Sequence, residues 1–146
     1  MAVIISLDRN NRITLKPLNY EQKNEYWFSA EVIFLQENQS LIKGFASFHI
    51  NDFVRLITGI KSLIFDKKSP SFVFDPIEPY LKMKITLEND SYLVEVKFCK
   101  GPIFELSKYT NFKFLTSKDD LAHFISSLVE ELKQIDSELE LKEVSF

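Results

Sequence analysis

Few side chains in this sequence could serve as a nucleophile or a metal ligand, and the ones best suited are His49, His123 and Cys99. Nucleophilic catalysis needs such a group beside a base, and a metal centre needs several at a spacing that converges them. The three are far apart and match no ligand signature. His123, between Ala122 and Phe124, reads as a surface histidine on the flank of a helix. His49 falls at a strand-to-helix junction and reads as a residue satisfied locally, and Cys99 alternates onto the outward face of its strand as an inert small side chain. Asp75 and Glu78 bracket Pro76 on one loop and could in principle share acid/base work, but nothing near them offers a matched proton donor. Gly44, Gly59 and Gly101 are isolated, so no glycine-rich loop can cradle a phosphate. These observations argue against a metal-dependent or nucleotide-dependent enzyme. No catalytic residue, metal or cofactor is expected.

The chain of 146 residues is long enough to bury a core as one domain, residues 1–146, without metals or disulfides. Fourteen Phe and five Tyr against three Gly predict an aromatic core. A formal charge of -3 disfavours nucleic acid as a partner. That charge is uneven, because residues 117–146 carry 8 acidic and 3 basic side chains. A lone cysteine gives no sign of an oxidising compartment. The apolar run Ala2 to Leu7 is too short for a signal-peptide core, and no stretch has the length to cross a bilayer. A cytoplasmic protein with no membrane partner is expected.

The elements that must position any site follow from periodicity. Phe48 to Phe65 turns from alternation to a helical stripe of Ile50, Phe53, Val54, Ile57, Ile60 and Ile64. This predicts a helix over about 51–65, with Asn51 as N-cap, Asp52 in the first turn off the apolar stripe, and an end near Asp66. Ser117 and Asp120 read as a capping box that opens a second helix over about 118–136, with Leu121, Phe124, Ile125, Leu128, Val129, Leu132 and Ile135 as its stripe. Strands are predicted at Ala2 to Leu7, Arg12 to Leu18, Tyr26 to Gln36, Leu41 to Phe48, Ser71 to Asp75, Tyr80 to Glu88, Ser91 to Cys99, Ile103 to Leu106 and Asn111 to Leu115, with Asn19 to Glu25 as a polar loop. Residues 137–146 fit either a continued helix or an edge strand, and a short extended tail is favoured. Phe28, Ala30, Val32 and Phe34 face inward, as do Ile42, Gly44, Ala46 and Phe48, with Gly44 and Ala46 small where a helix approaches. The result is an α+β fold, an antiparallel sheet of about 6–9 strands carrying both helices on one face.

The face that the helices leave uncovered then carries Trp27, Glu31, Ile33, Leu35, Phe45, Lys82, Lys84, Leu93, Glu95 and Lys97. Such a mixture suits a polar-rimmed protein interface, or equally a solvated face with scattered apolar residues. The acidic end of the second helix, with Glu130 and Glu131, is a second surface for a partner or a solvated helix end. An aromatic-lined pocket between helices and sheet, for a small ligand or an enzyme, is the alternative from a different class.

Four segments resemble the WapI family of small bacterial immunity proteins: Glu25 to Phe34, Gly44 to Leu63, Pro79 to Phe98 and Tyr109 to Leu132. The shared features are hydrophobic spacing and element order. Where that family commonly has an acidic residue and a glutamine leading into its last helix, this sequence has Thr116, Ser117 and Lys118. The resemblance implies a protein that silences one partner, a cognate secreted toxin domain, by association and not by catalysis; the sequence itself leaves monomer and homodimer both open. It supplies no functional residues to transfer. On this reading the partner-binding residues are Trp27, Glu31, Phe45, Lys82, Lys84, Glu95, Lys97, Glu130 and Glu131.

Overall fold

Alternating apolar residues set eight strands, and two helical stripes set the elements that cover them, in a computed structural model that describes residues 1–37, 40–99, 109–139 and 141. The strands are β1 (Ala2–Ile5), β2 (Arg12–Gln22), β3 (Trp27–Gln36), β4 (Ser40–His49), β5 (Ser71–Phe74), β6 (Leu81–Glu88), β7 (Ser91–Cys99) and β8 (Tyr109–Thr116). Helix α1 (Ile50–Lys61) follows β4 and continues through a wider turn, Ser62–Asp66, while α2 (Lys118–Ile135) follows β8. The strands form two four-stranded antiparallel sheets, each in sequence order, β1 to β4 and β5 to β8. Among the described residues, four strands and then a helix therefore occur twice. The predicted α+β, antiparallel, two-helix class is what forms, with its strands divided between two sheets.

The inner faces of the sheets meet through aromatic rings. Phe34 of β3 stacks on Phe112 of β8 with ring centroids 4.5 Å apart and lies 5.2 Å from Phe98 of β7. Phe48 of β4 approaches Phe74 of β5. Gly44 and Ala46 are inward as expected, but the neighbour that requires Gly44 to be small is the Phe98 ring of the second sheet, not a helix. α2 lies on β1 and β2, and α1 lies on β4, β5 and α2. Phe53 of α1 meets Phe28 edge to face and also touches Phe48. One hydrophobic core thus joins both sheets and both helices, and its driving force is apolar area removed from water.

Several local expectations are corrected. β2 runs on to Gln22 through the segment expected as a loop. Its pairing with β3 shifts register twice: between Pro17 and Asn19, beside a proline that has no N–H for the ladder, and again between Tyr20 and Gln22. α1 starts a residue early, because His49 and not Asn51 is its N-cap: Nδ1 of His49 accepts from the Asn51 N–H at 3.1 Å. Its junction role is the one expected.

Asp52, expected off the apolar stripe, is fully buried. Its carboxylate accepts from the His49 N–H at 3.0 Å, from the Ile77 N–H at 3.1 Å and from Arg55, so the charge goes inside with its partners. Cys99 is buried, not outward. In α2, Ser117 Oγ accepts from the Asp120 N–H as predicted, whereas the Asp120 carboxylate takes the Ser117 hydroxyl and Arg9. The strand expected at 103–106 lies outside the described residues, as do 140 and 142–146 of the tail.

Candidate functional site

The outer faces of the two sheets are separate surfaces, since it is the inner faces that meet. The nine residues predicted to bind a partner are therefore distributed over three places. Trp27, Glu31 and Phe45 lie on the outer face of β3 and β4. Lys82, Lys84, Glu95 and Lys97 lie on the outer face of β6 and β7. Glu130 and Glu131 are on α2.

On the first sheet Phe45 is 61% exposed and stands directly across from Glu31. Glu31 forms an ion pair with Lys43 at 3.1 Å. Trp27 is half-buried, its ring meeting His49 edge to face at 5.4 Å. Ile33 and Leu35 complete the face as half-buried side chains. On α2, Glu131 is engaged within the fold, because Oε2 accepts from the Ala2 N–H at 3.3 Å, while Glu130 is exposed.

The second sheet has a different character. Its outer face is a depression of about 620 Å³, lined by Lys82, Lys84, Glu95, Lys97, Asn111 and Lys113 with Val73 at its edge. The register sets Lys84 across from Glu95 and Glu95 across from Lys113, and it sets Lys82 across from Lys97. Lys82 approaches Asp75 at 3.9 Å, but Lys84, Lys97 and Lys113 form no ion pair among the described residues. Lys113 and Asn111 were not anticipated. The signal was present in the alternation of Asn111, Lys113 and Leu115 with Phe112 and Phe114, but only the register of β8 on β7 brings them to this face.

A second depression, of about 790 Å³, lies where Lys23, Tyr26, His49 and Asn51 face Asp136 and Glu138. Beside it the Tyr20 hydroxyl donates to Asp136 at 2.6 Å. That hydrogen bond and one from the Glu138 N–H hold the Asp136 carboxyl below the usual carboxylate range. Burial, and then the same bond, push the Tyr20 phenol well above its ordinary value.

Asp75 and Glu78 do not face each other as a pair. Asp75 turns toward Lys82, and Glu78 is raised by burial and by the nearby charges of Glu21 and Asp52. The aromatic side chains interlock within the core, with Phe28, Phe34, Phe48, Phe53, Phe74, Phe98 and Phe124 fully buried. Among the described residues no cluster of three or more His, Cys, Asp or Glu could hold a metal ion, and no helix is long and apolar enough to cross a membrane.

Residues 4–136 match the model of a family described as the immunity protein WapI-like family, a span that takes in both helices and nearly all of both sheets. No curated protein matches the chain. Among solved structures, one titled "Crystal structures of trypanosoma bruciei MRP1/MRP2" is similar at a TM-score of 0.47 and 6% identity, over 85% of this chain and 74% of that one. A likeness of that size carries no argument.

Proposed function

The chain belongs to the immunity protein WapI-like family, and we propose that it is a non-catalytic protein that neutralises a cognate bacterial toxin by binding it. The family match over residues 4–136 is the observation that carries this reading. On this reading the toxin domain is met in the cytoplasm. Association alone suffices, because a bound partner that covers the toxin's working surface excludes its substrate.

The outer surfaces support the reading. An exposed aromatic beside an ion pair, as at Phe45, Glu31 and Lys43, is the mixture from which protein interfaces are built. A stable one-to-one complex of this kind buries about 1,200–2,000 Å² in total. The surface is drawn from Trp27, Glu31 and Phe45, from Lys82, Lys84, Glu95 and Lys97, or from Glu130 and Glu131 on α2.

The test is co-expression with any toxin-like domain that a neighbouring gene encodes, followed by titration calorimetry of the purified pair. Rescue of growth together with one-to-one binding is expected. Growth arrest that persists despite soluble expression, with no heat of binding, would sink the proposal. Sedimentation of the chain on its own distinguishes monomer from homodimer as the binding species.

A further inference from the structure

We infer that the concave outer face of β5 to β8 is the docking surface, and that its occupant is an acidic segment of the protein partner whose carboxylates meet Lys82, Lys84, Lys97 and Lys113. The inference rests on the reading that this chain acts by binding a protein, and it adds where and to what chemistry.

Three observations converge. The depression of about 620 Å³ gathers four lysines around one glutamate, in a chain whose formal charge is -3. The concentration of one sign in a concavity raises the local potential and draws in the opposite charge. Lys84, Lys97 and Lys113 have no ion-pair partner among the described residues, so their charges remain available. And Lys82 stands directly across from Lys97 in the antiparallel ladder, where like charges disfavour the sheet. Asp75, at 3.9 Å from Lys82, offsets part of this, and solvent screens both interactions alike. A local arrangement that works against the fold is of the kind found at functional surfaces.

The acidic surface of α2 is a weaker alternative. Asp120 is occupied by Arg9 and Ser117, and Glu131 by the Ala2 N–H. The groove also differs from a nucleic-acid channel, which pairs basic residues with aromatic rings on which bases stack. Here Phe112 contributes to the lining but is buried, and no arginine is present.

The variant that separates the alternatives is Lys97→Glu. It removes the repulsion with Lys82, so its melting temperature should rise above that of the parent chain. Its affinity for the neighbouring toxin domain should nonetheless fall roughly tenfold or more, as when a charge is reversed within an electrostatically complementary interface. Lys133→Glu, exposed on α2 and outside the depression, should leave affinity unchanged. If Lys97→Glu combined with Lys113→Glu binds the toxin as tightly as the parent chain, the groove is not the docking surface, while neutralisation by binding stands.

If the parent chain does not bind that toxin at all, the neutralisation reading falls. The groove is then judged by amide shifts in NMR on adding a ten-residue glutamate peptide or a single-stranded ten-nucleotide oligomer. Peptide-induced shifts centred on Lys84, Lys97 and Lys113 and absent from the double variant support an acidic protein occupant. Shifts there with the oligomer alone, or with neither probe, overturn it.

Discussion

Replacing Gly44 by alanine probes the contact between the two sheets at its tightest point. A Cβ at that position would stand 2.5 Å from Cζ and 2.7 Å from Cε1 of Phe98, whereas carbon atoms pack comfortably at about 3.5–4.0 Å. The ring would have to retreat by roughly 1 Å, and its surroundings resist. Phe98 is fully buried and lies 5.2 Å from the Phe34 ring, which is itself stacked on Phe112. Overpacking of this kind costs about 1–3 kcal/mol.

An opposing effect favours alanine, which has less freedom than glycine in the unfolded chain by about 0.4–1 kcal/mol. Over nearly all of these ranges the contact outweighs it, leaving a net loss of up to roughly 2.6 kcal/mol. At about 2–4 °C per kcal/mol for a chain of this size, the melting temperature should fall by up to roughly 10 °C. Urea denaturation measures the loss, and a double-mutant cycle with Phe98→Leu assigns it. Gly44→Ala should cost less when Phe98 is already leucine, with a coupling of about 0.5–3 kcal/mol. A stabilising Gly44→Ala, or the same effect in both backgrounds, would refute the close approach of Gly44 to Phe98.

Asp52→Ala should destabilise by about 1–3 kcal/mol, because it removes the buried carboxylate that accepts from the part-buried N–H groups of His49 and Ile77. Asp52→Asn, which keeps one acceptor, should recover part of the loss, and urea unfolding of the two variants checks the order. Tyr20→Phe should lower stability at pH 7 by removing the bond to Asp136, and the difference from the parent chain should depend on pH. The Asp136 contribution is present above the unfolded carboxylate value of about 3.9 and is lost as pH falls through its depressed folded value. The Tyr20 contribution is present below about pH 10 and is lost as pH rises through its raised folded value. Melts of both proteins from pH 3 to 11 should show the gap narrowing at each end, and a flat difference would contradict the assignment.

Much of the fold was legible because each strand buries one face. Phe28, Ala30, Val32 and Phe34, like Tyr92, Val94, Val96 and Phe98, announce their orientation by alternation alone, and all eight are buried. The division into two sheets was not legible, since alternation says which way a side chain points but not which strand lies beside it. The same gap hid the reason for Gly44, whose neighbour lies 54 residues further along the chain. Asp52 was misplaced because a carboxylate reads as wet until its donors are known, and one of them comes from the loop at Ile77. The candidate surface was half visible. Lys82, Lys84, Glu95 and Lys97 follow from two clean hairpin strands, while Lys113 joins them only through a register that no local pattern specifies.

The seat of α2 on β1 and β2 has a consequence for how the protein is made. The Ala2 N–H donates to Glu131, and the Thr116 hydroxyl donates to the Ile5 carbonyl, so the earliest strand is covered by residues synthesised more than a hundred positions later. At about 5–20 residues per second, roughly 6–25 s separate the emergence of β1 from that of its cover. During that interval Ile4, Ile13 and Leu15, all buried in the finished molecule, have their neighbours in the sheet but not the cover that α2 supplies. If the chain is the antidote proposed above, protection begins only when translation has passed α2, and the delay between the two gene products becomes part of the defence.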